Sequence, residues 1–156
     1  VGLVHLHATE WRIDPSKIGV LGFSAGGHLV AALSTHFMLR LYPPVDAAHK
    51  ESCRPNFALA LYPGHLWIDE EKFELNPDIH VTDRTPPTFL VQTEDNPVDD
   101  VDHSLVYYIA LENAGVPWRC ICILRCTELP ITGWPQLMET WLGMIGIILK
   151  QFVFEL

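Results

Sequence analysis

The chain has 156 residues, 49% of them apolar. That is enough for one domain with a real core and too apolar for a disordered chain. The formal net charge is -9 and no basic cluster offsets it, which argues against both a nucleic acid and an anionic membrane surface as partner.

Residues 1–11 (VGLVHLHATEW) read as the end of a helix, and 13–17 (IDPSK) as a polar, proline-containing turn. The apolar run 18–23 (IGVLGF) predicts a buried strand. Residues 24–37 (SAGGHLVAALSTHF) predict a helix with Leu29, Val30, Ala32 and Leu33 on its apolar face. A loop is expected over 40–55 and a second buried strand over 57–63. A long, polar, proline-bounded excursion follows over 64–87, of the kind that forms part of a substrate-side cap. Residues 88–93 (TFLVQT) predict a third strand and 94–103 an acidic loop. Residues 104–115 predict an amphipathic helix stopped by Gly115. A fourth strand over 118–124 and a terminal helix over 134–152, with Pro135 in its first turn, complete the pattern.

Strands alternating with helices imply an α/β fold with a parallel sheet flanked by helices, in one domain over 1–156. Ligands of such sheets sit at the carboxyl ends of the strands. Ser24 and the acidic loop 94–100 fall at two such ends. The cysteines, Cys53, Cys120, Cys122 and Cys126, lack the paired C-x-x-C spacing of zinc knuckles, so incidental thiols and no metal are expected. The opening residues have no basic n-region or small-residue cleavage site, and the longest apolar run, 141–149, is too short to span a bilayer.

Gly22, Ser24 and Gly26 spell G-x-S-x-G between a predicted strand and a predicted helix. A serine hydroxyl is a weak nucleophile until a neighbouring base takes its proton. A sharp strand-to-helix turn presents its oxygen above the sheet, with the Ala25 N–H placed to donate to a developing oxyanion. The competing reading makes Ser24 only a helix N-cap.

The stretch IDPSKIGVLGFSAGGHLVAALSTHF resembles the nucleophile-elbow segment of the α/β-hydrolase superfamily, nearest to bacterial acetyl-xylan or feruloyl esterase-like members. The segments RPNFALALYPGHLW, TPPTFLVQTEDNPVDDVDHSLVYYIALENAGVP and LPITGWPQLMETWL resemble the same family, so the likeness covers most of the chain except 118–127 and the last residues. The resemblance implies hydrolysis of acetyl or feruloyl esters of plant polysaccharide by a Ser-Asp-His triad, without metal or cofactor, in a secreted or periplasmic setting. It implies a small ester or an acylated saccharide as substrate.

The resemblance also locates departures. Its strands and H-G-G-type oxyanion loop before the elbow have no counterpart in the 23 residues preceding Ser24. A partial α/β-hydrolase fold without the N-terminal strands is therefore expected, with the strand at 18–23 leaving an edge through which chains could associate. Asn96 stands at the family's acid position, with Asp95 beside it as a substitute, and an amide cannot stabilise an imidazolium by charge. Asp99, Asp100 and Asp102 read as a solvated loop and helix start. The family's histidine loop should follow the last strand, yet 118–127 holds no histidine. His28, His65 and His103 lie elsewhere and read as structural or surface residues.

A one-base shift of codons for Val-Glu-Met-His-Leu-Tyr, the family's sequence after Val-Pro, reads Trp-Arg-Cys-Ile-Cys, as at 118–122. A frameshifted segment over 118–127 is the expectation. The function expected is ester hydrolysis through Ser24. The competing readings are a non-catalytic remnant or binding module without the base, or the product of a damaged gene.

Overall fold

The computed structural model describes residues 1–39, 41–68 and 72–123. In chain order they form α1 (Gly2–Leu6), β1 (Gly19–Phe23), α2 (Ala25–His36), β2 (Phe57–Leu61), β3 (Thr88–Thr93), α3 (Val101–Asn113) and β4 (Trp118–Ile123). Short 3-10 turns cover Pro15–Lys17 and Ala47–Lys50. The strands make one sheet in the order β1-β2-β3-β4, and every neighbouring pair is parallel. The expected terminal helix over 134–152 lies outside the described residues.

Side chains alternate across the sheet, as the pleat dictates. Ala58, Ala60 and Leu90 face the helices in one core cluster with Val30, Ala31, Leu66, Val106, Tyr107 and Leu111, and Gly22 faces Gly26 and Val30 of α2. Leu59, Leu61, Phe89 and Val91 form a second cluster on the opposite face. Each such aliphatic side chain contributes about 1.5–3 kcal/mol when fully buried. Leu21 and Phe23 share that second face by register and stay 42% and 43% exposed.

The helix α2 packs differently from its predicted face. Its buried residues are Gly27, Val30, Ala31 and Ser34. Leu29 is 67% exposed. Small residues win the inner face because the helix lies too close to the sheet for larger ones. A Cβ on Gly22 would sit 2.2 Å from the Gly26 carbonyl oxygen, and one on Gly27 would sit 2.8 Å from both Cα and Cβ of Pro63.

The helix α3 begins at Val101, three residues before the predicted start at 104. The reason is an N-cap: the Asp100 carboxylate accepts a hydrogen bond from the Asp102 N–H at 3.0 Å. The helix ends where expected, with Gly115 at φ 68° and its N–H bonded to the Glu112 carbonyl at 3.0 Å. Asp99, read as solvated, is only 8% exposed. It folds inward because its loop is tied down from beneath by Gln92, itself 1% exposed. The Gln92 Nε2 donates to the Asp99 carbonyl at 2.8 Å and the Thr93 carbonyl at 3.3 Å, and Oε1 accepts from the buried Ser104 hydroxyl at 3.0 Å.

The stabilities of three variants check these contacts. Gly27→Ala should cost about 1–3 kcal/mol in urea denaturation because Pro63 backbone must move. Gly26→Ala, whose Cβ would meet nothing within 4 Å, should stabilise by about 0.5–1 kcal/mol. Gln92→Leu should cost about 1–3 kcal/mol by leaving the Ser104 hydroxyl and the Asp99 carbonyl buried without a partner.

Candidate active site

Ser24 joins the end of β1 to the start of α2 with φ 49° and ψ -119°. A non-glycine residue held there costs about 1–3 kcal/mol, so the surroundings must enforce the conformation. They do so through the backbone. The Ser24 N–H donates to the Leu61 carbonyl at 3.1 Å, extending the ladder with β2 by one residue. The Ser24 carbonyl accepts from the His28 N–H and the Gly64 N–H, each at 3.2 Å. Ser24 occupies the N-cap position of α2, but its hydroxyl makes no cap hydrogen bond to the helix.

Ala25, the first residue of α2, is exposed. The N–H groups of a helix's first turn have no intrahelical acceptor. The Ala25 N–H therefore lies one peptide from the Ser24 side chain and at the positive end of the helix dipole.

A second turn completes this edge. Tyr62, Pro63, Gly64 and His65 follow β2, with Tyr62 at φ 36° and His65 at φ 58°. The Tyr62 N–H donates to the Val91 carbonyl at 2.6 Å, which locks the turn to β3. A Cβ on Gly64 would lie 2.4 Å from the Asp99 Oδ1, so the Asp99 carboxylate rests directly against Gly64. Residues that contact Ser24 and residues of the acidic loop thus meet at one glycine.

Asp95 and Asn96 sit in the loop after β3, with one strand, β2, between them and Ser24. That separates the strand ends by roughly 10 Å. The Asn96 Oδ1 accepts from the Val98 N–H at 3.0 Å and the Asp99 N–H at 3.2 Å, an Asx turn that spends this oxygen on its own loop. Asp95 is exposed.

Three histidines, separated in sequence, gather around the 64–67 turn. His28 and His65 rings stand 6.1 Å apart at 86°. The His28 Nδ1 is buried with no hydrogen-bond partner. The His103 Nδ1 accepts from the Trp67 N–H at 2.8 Å. Burial pulls the His103 pKa below the ordinary imidazole value, against the opposing charges of Asp99 and Asp100. The sequence offered one cue to this arrangement, the Pro-Gly pair at 63–64, which marks a tight turn. The spatial convergence of His28, His65, His103 and Asp99 carries no sequence signal. Among the described residues, no three His, Cys, Asp or Glu side chains form a group that could hold a metal ion.

No family model matches the chain. The chain is 30% identical over 126 residues to an acetylxylan esterase of Xylanibacter ruminicola, covering 72% of this chain and 26% of that protein. Among solved structures, an acetyl ester-xyloside bifunctional hydrolase from Caldicellulosiruptor lactoaceticus superposes with a TM-score of 0.70 at 31% identity, covering 93% of this chain and 62% of that one. An α/β-hydrolase enzyme from a deep-sea metagenome of the Medee basin superposes with a TM-score of 0.58 at 28% identity, covering 79% and 44%. The chain thus spans about a quarter of the curated esterase and less than two thirds of either solved structure. Its fold is a partial α/β-hydrolase fold, and its sequence is similar to that of proteins named acetylxylan esterase and acetyl ester-xyloside hydrolase.

Proposed function

We propose that Ser24 is the nucleophile of a carboxylic-ester hydrolase whose substrates are acetyl or feruloyl esters of plant polysaccharide. The observation that carries this reading is the Ser24 backbone at φ 49° and ψ -119° with a hydroxyl unused by the helix it precedes. A fold that needed only a cap would let the hydroxyl bond to the helix and would avoid the strain. The names of two relatives, an acetylxylan esterase and an acetyl ester-xyloside hydrolase, support the acetyl-ester part of this reading.

In this mechanism the Ser24 Oγ attacks the ester carbonyl carbon while its proton passes to a base. The Ala25 N–H donates to the carbonyl oxygen as negative charge builds there. Collapse of the tetrahedral intermediate breaks the bond to the alcohol oxygen, which leaves with the proton, and water then hydrolyses the acyl-serine. The chain order of the fold is serine, acid, histidine. It assigns the acid to the loop after β3, where Asp95 is the carboxylate adjoining Asn96. It assigns the base to the segment after β4.

The sequence has no histidine between 116 and 134, which we attribute to a shift of reading frame over 118–127. Sequencing the coding DNA is expected to show a one-base slip near codon 118. Codons that run in frame and match the relatives throughout this region would overturn that attribution.

The nucleophile itself is tested by a fluorophosphonate probe with mass spectrometry of the labelled peptide. The expected adduct sits on Ser24 and disappears in Ser24→Ala. A chain that melts cooperatively yet takes no label defeats the proposal and leaves a non-catalytic α/β-hydrolase domain.

A further inference from the structure

We infer that His103 is a pH-sensitive fastening that holds the Trp67 backbone in place beside the carboxyl edge of the sheet when its ring is neutral and lets it open locally when protonated. The proposal concerns the turn next to Ser24 and does not depend on the chemistry of Ser24.

The contact itself requires neutrality. A backbone N–H only donates, so the His103 Nδ1 that receives the Trp67 N–H at 2.8 Å carries no proton. Protonation puts a hydrogen on Nδ1 and sets donor against donor. The bond cannot survive in that geometry.

Trp67 also forms an isolated antiparallel bridge with Leu75 and packs against the core cluster, contacts that do not depend on the protonation of His103. The Trp67 indole Nε1 is buried without a hydrogen-bond partner, so opening lets water reach a donor that the closed state leaves unsatisfied. The Trp67 ring meets the His103 ring edge-on at 6.1 Å, so both rings lose that contact together. On either side the chain is better anchored. Leu66 is fully buried, the Asn76 N–H donates to the Leu66 carbonyl at 2.6 Å, and the Asn76 Nδ2 donates to the His65 carbonyl at 3.0 Å. Opening is therefore local to the Trp67 backbone and its neighbours.

The charged surroundings set the pH at which this happens. Burial disfavours the imidazolium most, and His65 on the 64–67 turn acts in the same direction. Asp99 and Asp100 in the loop before α3, and Asp102 on α3 itself, favour the imidazolium and oppose the shift. The positive end of α3, whose first turn contains His103, adds to the penalty on the charged ring. Burial prevails and the pKa falls below its ordinary value. A histidine with a depressed folded pKa stabilises fully above its unfolded pKa of about 6.5, and that contribution is lost as pH falls from there through the folded pKa. The Trp67 backbone is therefore fastened at neutral pH and released in mild acid.

Amide hydrogen exchange of the full chain, corrected for intrinsic rates, tests this between about pH 7.5 and about pH 5. Protection of the Trp67 amide should fall about tenfold across that range, the weight of roughly one hydrogen bond. The amides of β2 and β3 should keep their protection. His103→Asn places an amide oxygen where Nδ1 was and does not titrate, so it should hold Trp67 protection constant over the same range. The His103 ring, followed by NMR, should titrate below about 6.5.

A Trp67 protection that does not change with pH overturns the proposal. So does an equal loss in His103→Asn, a loss shared by β2 and β3, or a His103 ring that titrates at or above the ordinary value. None of these readouts moves with fluorophosphonate labelling, so failure here is distinct from failure of the esterase reading.

Discussion

The close approach of α2 to the sheet is the constraint on which the carboxyl edge depends. Gly22 lets the Gly26 carbonyl press onto β1, and Gly27 lets the helix rest on Pro63. With the helix start fixed that tightly, one residue must turn the chain from strand to helix. Ser24 does so at a positive φ. The conformation is strained for serine, and backbone hydrogen bonds from β2, α2 and the 62–65 turn hold it. The half-buried position of Ser24 follows from this packing. The nucleophile reading therefore rests on how the glycines pack, which is a stronger ground than the presence of a serine in a short motif.

The same edge shows how polar groups are used as structure. Gln92 is buried beneath the acidic loop and bonds to Thr93, Asp99 and Ser104 at once. An apolar residue there would pack into the core equally well but would leave the loop unattached. Asn96 spends its side-chain oxygen on the Val98 and Asp99 amides, and Asp100 caps α3. Much of the loop's polarity is thus committed to setting its own shape. Asp95 is exposed beside this turn.

The alternation of strands and helices was legible because each apolar run was short, bounded by turn residues and separated by helix-length segments. β1, β2, β3 and β4 all fall within the runs that predicted them. The inner face of α2 was not legible from hydrophobicity. Leu29 is more apolar than Gly27 or Ser34, yet it points outward because distance to the sheet, and not hydrophobicity, chooses the buried residues. The start of α3 was missed because acidic residues suit both a solvated loop and a cap, and only geometry tells them apart. The histidines around the 64–67 turn come from three segments, and nothing in linear spacing marks His103 as the partner of the Trp67 amide.

β4 bears on what the fold can and cannot say about chemistry. All six of its residues, Trp118 to Ile123, pair in parallel register with Thr88 to Thr93 of β3. A ladder asks for extended backbone and side chains that suit a pleated surface, and aromatic and β-branched residues such as Trp118, Ile121 and Ile123 meet that demand whatever reading frame produced them. Trp118 is further held by an edge-on contact with Tyr108 at 4.3 Å on α3 and by donation from its indole N–H to Glu112. Strand formation thus says little about which side chains stand on the loop that follows it. In this fold the sheet is specified by general propensities spread over many residues, whereas the triad is specified by single side chains on the loops between them. The two can part company, which is why a sound β4 supports the fold and leaves the base to be decided by the coding sequence.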